Sequence, residues 1–341
     1  MPSDSAAILD AVLAVREAAR GLAARVLLGE RAAIAEALNQ VDDNRPAYRE
    51  RSLSLLDALS EAKGGIRIGV TGAPGAGKST LLDVLVSGLR ARDRSVGVLA
   101  VDPSSQRTGG ALLGDRMRLG SSARDAGVFL RSLAARDALG GLSYVTGPSL
   151  DVMSSALDVV FVETVGVGQS EAQVTDLVDT LVFVAQPAAG DLIQFMKAGI
   201  LEWPDLFFVN KMDLGAVATR SAAELRAGID LGHQRDPNRT PPVLCGSARD
   251  SQGIDELIDA IDEHTAYLTT SGQATLRRAE GRIARVQVAL ATRYGRFGLG
   301  KLTAAEPLAD QVESLGKISV DRVIDQLAGR VEAMLGSANG R

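Results

Sequence analysis

The chain has 341 residues, 46% of them apolar and 23% charged, a balance that excludes disorder or a collagen-like repeat over the whole chain. Its 42 acidic and 37 basic residues give a net charge of −5, so the chain-wide basic surface typical of nucleic-acid binding is absent. One cysteine excludes an internal disulfide and a thiolate metal site. The sequence has neither an apolar run of ~18 residues nor a signal-peptide pattern, so we expect a cytoplasmic protein.

Helical patterns occupy both ends of the chain. Apolar residues recur at three- and four-residue spacing over 5–62, which predicts helices with one break at the turn VDDNRP, 41–46. Toward the other end, the pattern predicts helices over 276–294 and 303–335, separated by a glycine-containing break at 295–300. We therefore expect helical extensions on either side of a central domain.

The central part of the chain alternates short apolar runs with glycine-rich turns and helical patterns, which is typical of βαβ units. Several runs are apolar at successive positions, as in parallel strands that helices cover on both faces. The runs predict strands at 66–70, 96–101, 128–130, 159–163, 180–185, 206–210 and 243–245. The predicted fold class is α/β: a mainly parallel sheet flanked by helices over 63–270, with a helical N-terminal extension at 1–62 and a helical C-terminal arm at 271–341.

The first predicted strand leads into a loop that fits the phosphate-binding pattern G-x-x-x-x-G-K-[ST], and a helical pattern follows the loop. Glycines let backbone N–H groups turn inward around phosphate oxygens, and the start of the helix adds its dipole. We expect Lys78 to bridge the β- and γ-phosphates of a nucleotide and Ser79 to bind Mg²⁺. The predicted binding loop is Gly72-Ala73-Pro74-Gly75-Ala76-Gly77-Lys78-Ser79-Thr80.

A second pattern, N-K-x-D, indicates which base the nucleotide carries. Its residues Asn210, Lys211 and Asp213 directly follow a predicted strand. The Asp213 carboxylate has acceptors for guanine N1–H and for the exocyclic amine, two donors that adenine does not present in that arrangement. A loop with Ser247 and Ala248 follows the last predicted strand, and we expect it to close over the guanine edge. The sequence therefore favours GTP.

Three acidic residues lie at strand ends or in glycine-rich loops of the central domain, namely Asp102, Asp115 and Glu163. The carboxyl ends of parallel strands face the ligand crevice, where a carboxylate holds Mg²⁺ or orients the attacking water. Glu163 and Asp115, together with Lys78, are therefore candidate catalytic residues. Gly166 follows Glu163 closely, and we expect its N–H to sense the γ-phosphate, so that GTP and GDP set this loop differently.

Longer motifs resemble the MeaB/ArgK family of GTPases, which includes the methylmalonic aciduria type A protein. The matching runs are V-D-P-S-S, G-G-A-L-L-G-D-R, R-S-L-A-A-R, L-G-G-L-S and E-T-V-G-V-G-Q-S-E. The resemblance implies a GTPase that hydrolyses GTP to GDP and phosphate, and that gates cofactor loading of an adenosylcobalamin-dependent acyl-CoA mutase, or protects and reactivates it. The mutase is methylmalonyl-CoA mutase or a related one. The resemblance also implies Mg²⁺ contacts from Ser79, Asp102, Asp115 and Glu163.

The family resemblance further implies a third switch, usually written G-D-x-x-Q-x-x-K. Here it corresponds to residues 190–197, in which Gln194 and Lys197 match while Leu192 and Phe195 depart from the family pattern. The segment 186–204 follows a predicted strand and so begins at the nucleotide edge of the sheet. We expect this segment, with Gln194 and Lys197 as its coupling residues, to transmit the nucleotide state to the mutase.

Three alternative functions remain, and each is distinguished by one feature. A metal-insertion GTPase for a nickel enzyme needs Cys and His ligands, whereas this chain has one Cys and two His. A kinase for a small molecule or a protein moves the γ-phosphate of labelled GTP to an acceptor, whereas a GTPase moves it to water. A scaffold that binds nucleotide without turnover releases no phosphate.

The arginine-rich helical pattern at 277–296 is either an RNA-binding helix or a dimerisation helix. The aromatic residues near it are limited to Tyr294 and Phe297, which disfavours stacking on RNA bases. The family resemblance implies a dimer contact through the C-terminal extension. We therefore expect a homodimer, with no nucleic-acid or membrane partner.

Overall fold

A computed structural model describes residues 3–102, 125–134, 144–164, 170–187, 199–232 and 234–338. Within these ranges, seven strands form one sheet in which every pairing is parallel. The strands are β1 (Ile66–Thr71), β2 (Val96–Asp102), β3 (Val128–Ala134), β4 (Val159–Glu163), β5 (Thr180–Ala185), β6 (Leu206–Val209) and β7 (Val243–Cys245). Each coincides with a predicted run, so the α/β fold class is confirmed.

The strand order is β3-β2-β4-β1-β5-β6-β7, which places β1 between β4 and β5. Later strands of the sequence therefore lie on both sides of β1. Sheets of this kind bind ligands in the crevice at the carboxyl ends of the strands beside such a position. Register aligns Val70 of β1 with Glu163 of β4, and Ala100 of β2 also pairs with Glu163. The polar residues that end these strands consequently share one edge of the sheet.

Helices cover both faces of the sheet, which explains why its strands are apolar at successive positions. On one face, α4 (Lys78–Ala91) packs its leucines into a buried cluster that includes Phe161 and Phe208 of the sheet. A later helix, Ile254–Thr270, contributes five residues to the same cluster, among them Leu257 and Ile258. On the opposite face, the helix Ala216–Leu231 packs against Phe183, Phe207 and Val209 through residues that include Leu225 and Ile229.

The described helices are numbered in chain order. They are α1 (Ser3–Leu27), α2 (Arg31–Asp42), α3 (Pro46–Leu59), α4, α5 (Thr146–Ala156), α6 (Ser170–Thr175), α7 (Ala216–Leu231), α8 (Ile254–Thr270), α9 (Gln273–Thr303), α10 (Leu308–Ser314) and α11 (Val320–Ala338). Two compact units emerge. The sheet belongs to a unit of residues 65–146 and 157–278. The other unit combines residues 1–64, 147–156 and 279–341.

Ion pairs join sequence-distant helices within the helical unit. Arg322 of α11 donates to Glu50 at 2.7 and 2.9 Å and to Asp57 at 2.8 Å, both on α3. Arg285 of α9 donates to Asp151 of α5 at 2.9 Å. The N-terminal and C-terminal helical segments thus share one compact unit, while the boundaries 1–62, 63–270 and 271–341 stay a prediction.

The predicted helix bounds were wrong at both ends of the chain. A break at 28–30 separates α1 from α2, because Gly29 adopts a left-handed φ of 73°. The break predicted at 295–300 is confirmed at its first residue, because Gly295, with φ 66° and ψ −175°, divides α9 into two helical pieces, although the second piece begins earlier than predicted. The helix predicted over 303–335 is interrupted between α10 and α11, where Gly316 has φ 69°.

In the described part of the chain, no helix combines the length with the apolar character that a bilayer span requires.

Candidate functional site

The loop between β1 and α4 has a backbone that only glycines adopt readily. Gly72, Gly75 and Gly77 have φ values of 140°, 80° and 89°. A Cβ on Gly72 would collide with the carbonyl oxygen of Val184, and one on Gly77 would meet the amide nitrogen of Asn210. Gly72 and Gly77 are therefore required twice, by backbone conformation and by close approach of β5 and of the base-site asparagine, whereas Gly75 is required by its backbone conformation alone.

Lys78 begins α4 and points back into this loop. Its side chain is buried, and Nζ donates to the carbonyl oxygens of Gly72 at 2.7 Å and Ala73 at 3.1 Å. The ammonium group therefore lies inside the loop, at the positive end of a helix dipole, where an anion is stabilised. Thr80, two residues further along α4, is exposed.

A hydroxyl and a carboxylate meet beside the loop. Ser79 Oγ, in the first turn of α4, donates at 2.7 Å to Oε1 of Glu163, the last residue of β4. Asp102 ends β2, the strand on the far side of β4, so its backbone lies at the same edge of the sheet. A hydroxyl and carboxylates are hard oxygen donors, the class that Mg²⁺ prefers, so the residues present fit this metal.

Buried threonines connect the loop strand to the strand that ends in Glu163. Thr164 Oγ1 donates to Thr71 Oγ1 at 3.1 Å, and the Thr164 backbone N–H donates to the Val70 carbonyl at 3.1 Å. Both hydroxyl-bearing residues are at most 1% exposed. The residue before Gly72 and the residue after Glu163 are therefore fixed relative to each other.

Asn210 lies at the centre of the base side of the site. It is buried, its Nδ2 donates to the Ala76 carbonyl at 2.8 Å, and its Oδ1 accepts from the Ala248 N–H at 2.9 Å. Because both ends of this amide are occupied by backbone groups, Asn210 holds the phosphate loop and the Ser247-Ala248 loop at a fixed separation. This contact is structural and does not need the base.

Lys211 adopts a left-handed conformation, with φ 61°, directly after Asn210. Its Nζ donates to the Gly75 carbonyl at 2.7 Å and to Gln186 Oε1 at 3.1 Å. Gln186 is the first residue after β5. Lys211 therefore connects the phosphate loop to the start of segment 186–204.

Asp213 lies in a short 3₁₀ turn, Met212–Leu214, that is held by a bond from the Met212 N–H to the Gly246 carbonyl at 3.0 Å. Its side chain is 19% exposed. Oδ1 accepts from the buried hydroxyl of Ser247 at 3.0 Å, and Oδ2 lies 3.4 Å from a guanidinium nitrogen of Arg249. The carboxylate is thus oriented by the loop that was predicted to close over guanine.

The structure brings together the phosphate-loop residues, Glu163 and the base-side residues at one sheet edge, as the sequence predicts. Asp115, Gly166, Gln194 and Lys197 lie outside the described residues, and Asp102 is described through its backbone. Sequence reasoning missed Thr71, Thr164, Gln186 and Arg249 as neighbours of the site. Gln186 and Thr164 each directly follow a predicted strand, which was the signal that could have found them.

Known GTPases are similar to this chain in sequence. The family model described as "Methylmalonyl Co-A mutase-associated GTPase MeaB" matches residues 34–293. The GTPase ArgK of Escherichia coli is 38% identical over 253 residues, which are 73% of this chain and 76% of that protein. A mouse protein named methylmalonic aciduria type A homolog, mitochondrial, is 35% identical over 264 residues, 73% of this chain and 64% of that one.

A solved structure agrees with these relatives. The crystal structure titled "LAO/AO transport system kinase" has a TM-score of 0.68 and 27% identity, and the match covers 92% of this chain and 97% of that one. The family model thus covers most of the sequence. The same residues include the seven-stranded parallel sheet, the phosphate loop and the base-side loops. The chain is a guanine-nucleotide-binding GTP hydrolase that belongs to the MeaB family of P-loop GTPases.

Proposed function

We propose that this GTPase acts as a chaperone of an adenosylcobalamin-dependent acyl-CoA mutase, methylmalonyl-CoA mutase or a related one. In this role GTP hydrolysis gates cofactor loading of the mutase, or protects and reactivates it. The description of the matching family names an association with methylmalonyl-CoA mutase, and the mouse relative is named for methylmalonic aciduria. Both support the proposal.

The observation that carries the proposal is the double contact of Lys211. One ammonium group donates both to Gly75 in the phosphate loop and to Gln186 at the start of segment 186–204. We propose that a nucleotide that moves the Gly75 carbonyl also changes the Lys211 contact with Gln186. The double contact supports a path from the nucleotide to the segment that we propose as the coupling element, with Gln194 and Lys197 as its coupling residues.

Within the nucleotide site, Lys78 is proposed to release the carbonyls of Gly72 and Ala73 and to donate to the β- and γ-phosphates instead. Charge-assisted bonds to phosphate are stronger than bonds to neutral carbonyls, which favours this exchange. Asp213 is proposed to accept from guanine, while Asn210 keeps the two loops in place. Catalysis is then positional and electrostatic, with Lys78 neutralising charge that develops on the transferred phosphoryl group.

Mg²⁺ is the proposed metal cofactor, held by Ser79, Glu163, Asp102 and Asp115. When bound, the ion supplies Lewis-acid stabilisation of the phosphate charge. Glu163→Gln keeps the size of the side chain but removes its charge, so it is expected to bind nucleotide yet turn over slowly and require more Mg²⁺. Unchanged Mg²⁺ dependence of phosphate release would remove Glu163 from the metal site.

Dimerisation is proposed through the C-terminal arm. Two large apolar side chains of α9, Val288 and Phe297, are 49% and 67% exposed. Light scattering of the parent and of Phe297→Asp tests this proposal, and a monomeric parent would contradict it.

GTP turnover with and without methylmalonyl-CoA mutase tests the chaperone proposal. Stimulation of phosphate release by the mutase is expected. Gln194→Ala and Lys197→Ala should keep the basal rate and lose the stimulated increment, whereas the exposed control Lys317→Ala should keep both. If the mutase does not bind or stimulate, the chaperone role fails. If both variants are stimulated as strongly as the parent, the coupling segment lies elsewhere.

A further inference from the structure

The loop that follows β7 shares its donors between two carboxylates. Ser247 Oγ lies 3.0 Å from Asp213 Oδ1 and 2.9 Å from Asp250 Oδ2. Arg249 likewise lies between them, with Nη2 3.4 Å from Asp213 Oδ2 and Nε donating to Asp250 Oδ1 at 3.2 Å. The carboxylate proposed to recognise guanine therefore has a neighbour with access to the same hydroxyl and the same guanidinium.

Ser247 cannot donate to both carboxylates at once, and Arg249 approaches Asp250 more closely than Asp213. A serine hydroxyl has one hydrogen, so Ser247 donates either to Asp213 or to Asp250. The Asp250 backbone N–H donates to Ser247 Oγ at 3.3 Å, which holds the hydroxyl oxygen between the two acceptors. Arg249 has several N–H groups, but its 3.4 Å approach to Asp213 is longer than a good charge-assisted bond. The donors are thus divided between Asp213 and Asp250.

Burial separates the two carboxylates. The Asp213 side chain is 19% exposed, whereas those of Asp250 and Arg249 are 48% and 73% exposed. Asp250 is therefore the more solvated acceptor, and Arg249 has room to turn toward it. The guanidinium and the Ser247 hydroxyl together hold the pKa of Asp250 below its ordinary value, so Asp250 is ionised at neutral pH.

We propose that Arg249 competes with guanine for Asp213, and that Asp250 is the alternative acceptor that draws Arg249 away when the base enters. This inference rests on the proposed base-recognition role of Asp213. Guanine N1–H and its exocyclic amine need the Asp213 oxygens, and a guanidinium beside Oδ2 occupies one of the directions of approach. Arg249 and Asp250 thereby set the affinity for the base without contacting it.

The sign of the change in mant-GDP affinity distinguishes competition by Arg249 from a direct contact of Arg249 with the base. If Arg249 competes with the base, Arg249→Ala should bind mant-GDP about two- to five-fold more tightly at low salt, the range of an exposed ion pair. Asp250→Asn removes the negative charge that attracts Arg249 to the alternative acceptor, so it should weaken binding by a similar factor. In the double variant Arg249→Ala/Asp250→Asn, the loss caused by Asp250→Asn should disappear, because no guanidinium remains to be held at Asp213.

Two controls isolate the base-dependent part of the effect. Arg220→Ala removes the same charge from an exposed position on α7 and should leave mant-GDP affinity unchanged. In Asp213→Asn the carboxylate is gone, so adding Arg249→Ala should not change the affinity for xanthosine diphosphate. Raising the salt concentration should shrink the effects of Arg249→Ala and Asp250→Asn together, since exposed charge pairs are screened.

The measurement is equilibrium binding of mant-GDP and xanthosine diphosphate to the full chain, with thermal unfolding to confirm that each variant folds. Weaker or unchanged binding by Arg249→Ala would overturn the competition, because the arginine would then assist the base or ignore it. Failure of Asp213→Asn to gain xanthosine diphosphate would overturn the base role of Asp213 and this inference with it. If Asp213→Asn gains affinity for xanthosine diphosphate while Arg249→Ala leaves the mant-GDP affinity unchanged, the competition by Arg249 is overturned and the base role of Asp213 stands.

Discussion

Charged groups are buried at both ends of the parallel strands, but they find their partners in different ways. We call the end where the strands begin the amino edge and the end where they finish the carboxyl edge. At the amino edge, Asp179 precedes β5 and accepts from the Arg67 backbone N–H at 3.0 Å and from Arg278 at 2.8 Å. Burial pushes the pKa of Asp179 up, but the bonds and the charge of Arg278 outweigh it and hold that pKa below its ordinary value. This carboxylate is balanced by a cation of the same chain.

Asp205, which precedes β6, repeats the arrangement. It accepts from the Leu181 backbone N–H at 2.9 Å and from Arg277 at 2.8 Å, and Arg235 lies 3.4 Å away. At the carboxyl edge, by contrast, Lys78 and Lys211 donate to carbonyl oxygens of a loop whose glycines have positive φ. At the amino edge, buried carboxylates accept from guanidinium groups, whereas at the carboxyl edge two lysines donate to backbone carbonyls of the phosphate loop.

This contrast teaches that buried charge alone does not mark a ligand site. A buried carboxylate with a guanidinium partner stabilises a unique packing and gains nothing from an added anion. A lysine that donates to loop carbonyls gains from exchanging those carbonyls for phosphate oxygens.

Removing Lys78 should have the largest effect on function. We expect Lys78→Ala to lower GTP turnover by at least about 10³-fold, because a donor to the developing phosphate charge is lost. Stability should change little, since Lys78 contacts the loop carbonyls rather than the apolar core. Phosphate release and thermal unfolding check both halves, with Lys317→Ala as the control. Unfolding of Lys78→Ala would show that this lysine is structural, like the amino-edge arginines.

Asp213 should control the choice of base. We expect Asp213→Asn to lose preference for guanine and gain it for xanthine, because Asn offers a donor in place of one acceptor. Two charge-assisted bonds correspond to roughly 10²–10⁴ in affinity. Competition binding among GTP, XTP and ATP measures the change. An unaltered preference for GTP would exclude Asp213 from base recognition.

At the amino edge, Arg277→Ala should affect stability instead of binding. It leaves the buried carboxylate of Asp205 without its 2.8 Å cation, which costs about 3–5 kcal/mol of unfolding free energy. Arg293→Ala is the comparison, because Arg293 and its partner Glu332 are 51% and 54% exposed, and exposed pairs contribute only about 0–1 kcal/mol. Urea unfolding measures the unfolding free energy of each variant, and mant-GDP binding measures its nucleotide affinity. Weakened nucleotide binding at unchanged stability would contradict the division between the edges.

The carboxyl edge was largely predictable from sequence, because its residues occur in short contiguous motifs. Gly72 to Ser79 and Asn210 to Asp213 each follow an apolar run that ends a strand, and parallel strands bring such ends together. The successive apolar positions of β4 and β6 indicate burial on both faces. Local pattern was therefore sufficient for the strands and for most of the site.

The amino edge was not predictable in this way. Asp205 and Arg277 are 72 positions apart, and no local pattern indicates that they meet. The contact of Lys211 with Gln186 is also non-local, 25 positions apart, and depends on β5 and β6 being neighbours. Which polar residues pair over long sequence distances depends on the folded arrangement of the strands. A sequence motif contains information only about residues that are close together in the chain.

The smallest expected effect concerns pH and lies at the amino edge. His264 is 1% exposed, and its Nδ1 lies 2.8 Å from Thr180 Oγ1. Burial lowers the pKa of His264 from 6.5 to about 4, although the nearby Asp205 carboxylate opposes the shift. The folded protein therefore holds a neutral imidazole at pH values where the unfolded chain takes up a proton.

The sign follows from that difference. A histidine whose pKa is lower in the folded state contributes its full stability above pH 6.5 and loses it as the pH falls toward 4. Between pH 7 and 5 this amounts to about 2 kcal/mol, at 1.36 kcal/mol per pKa unit. In His264→Gln this part of the pH dependence should be missing, whereas the parent and His233→Gln should both retain it. Urea unfolding at the two pH values measures the loss. If His264→Gln and the parent lost stability equally, the imidazole would be charged in the folded state, and Asp205 would be balanced by a third cation besides Arg277 and Arg235.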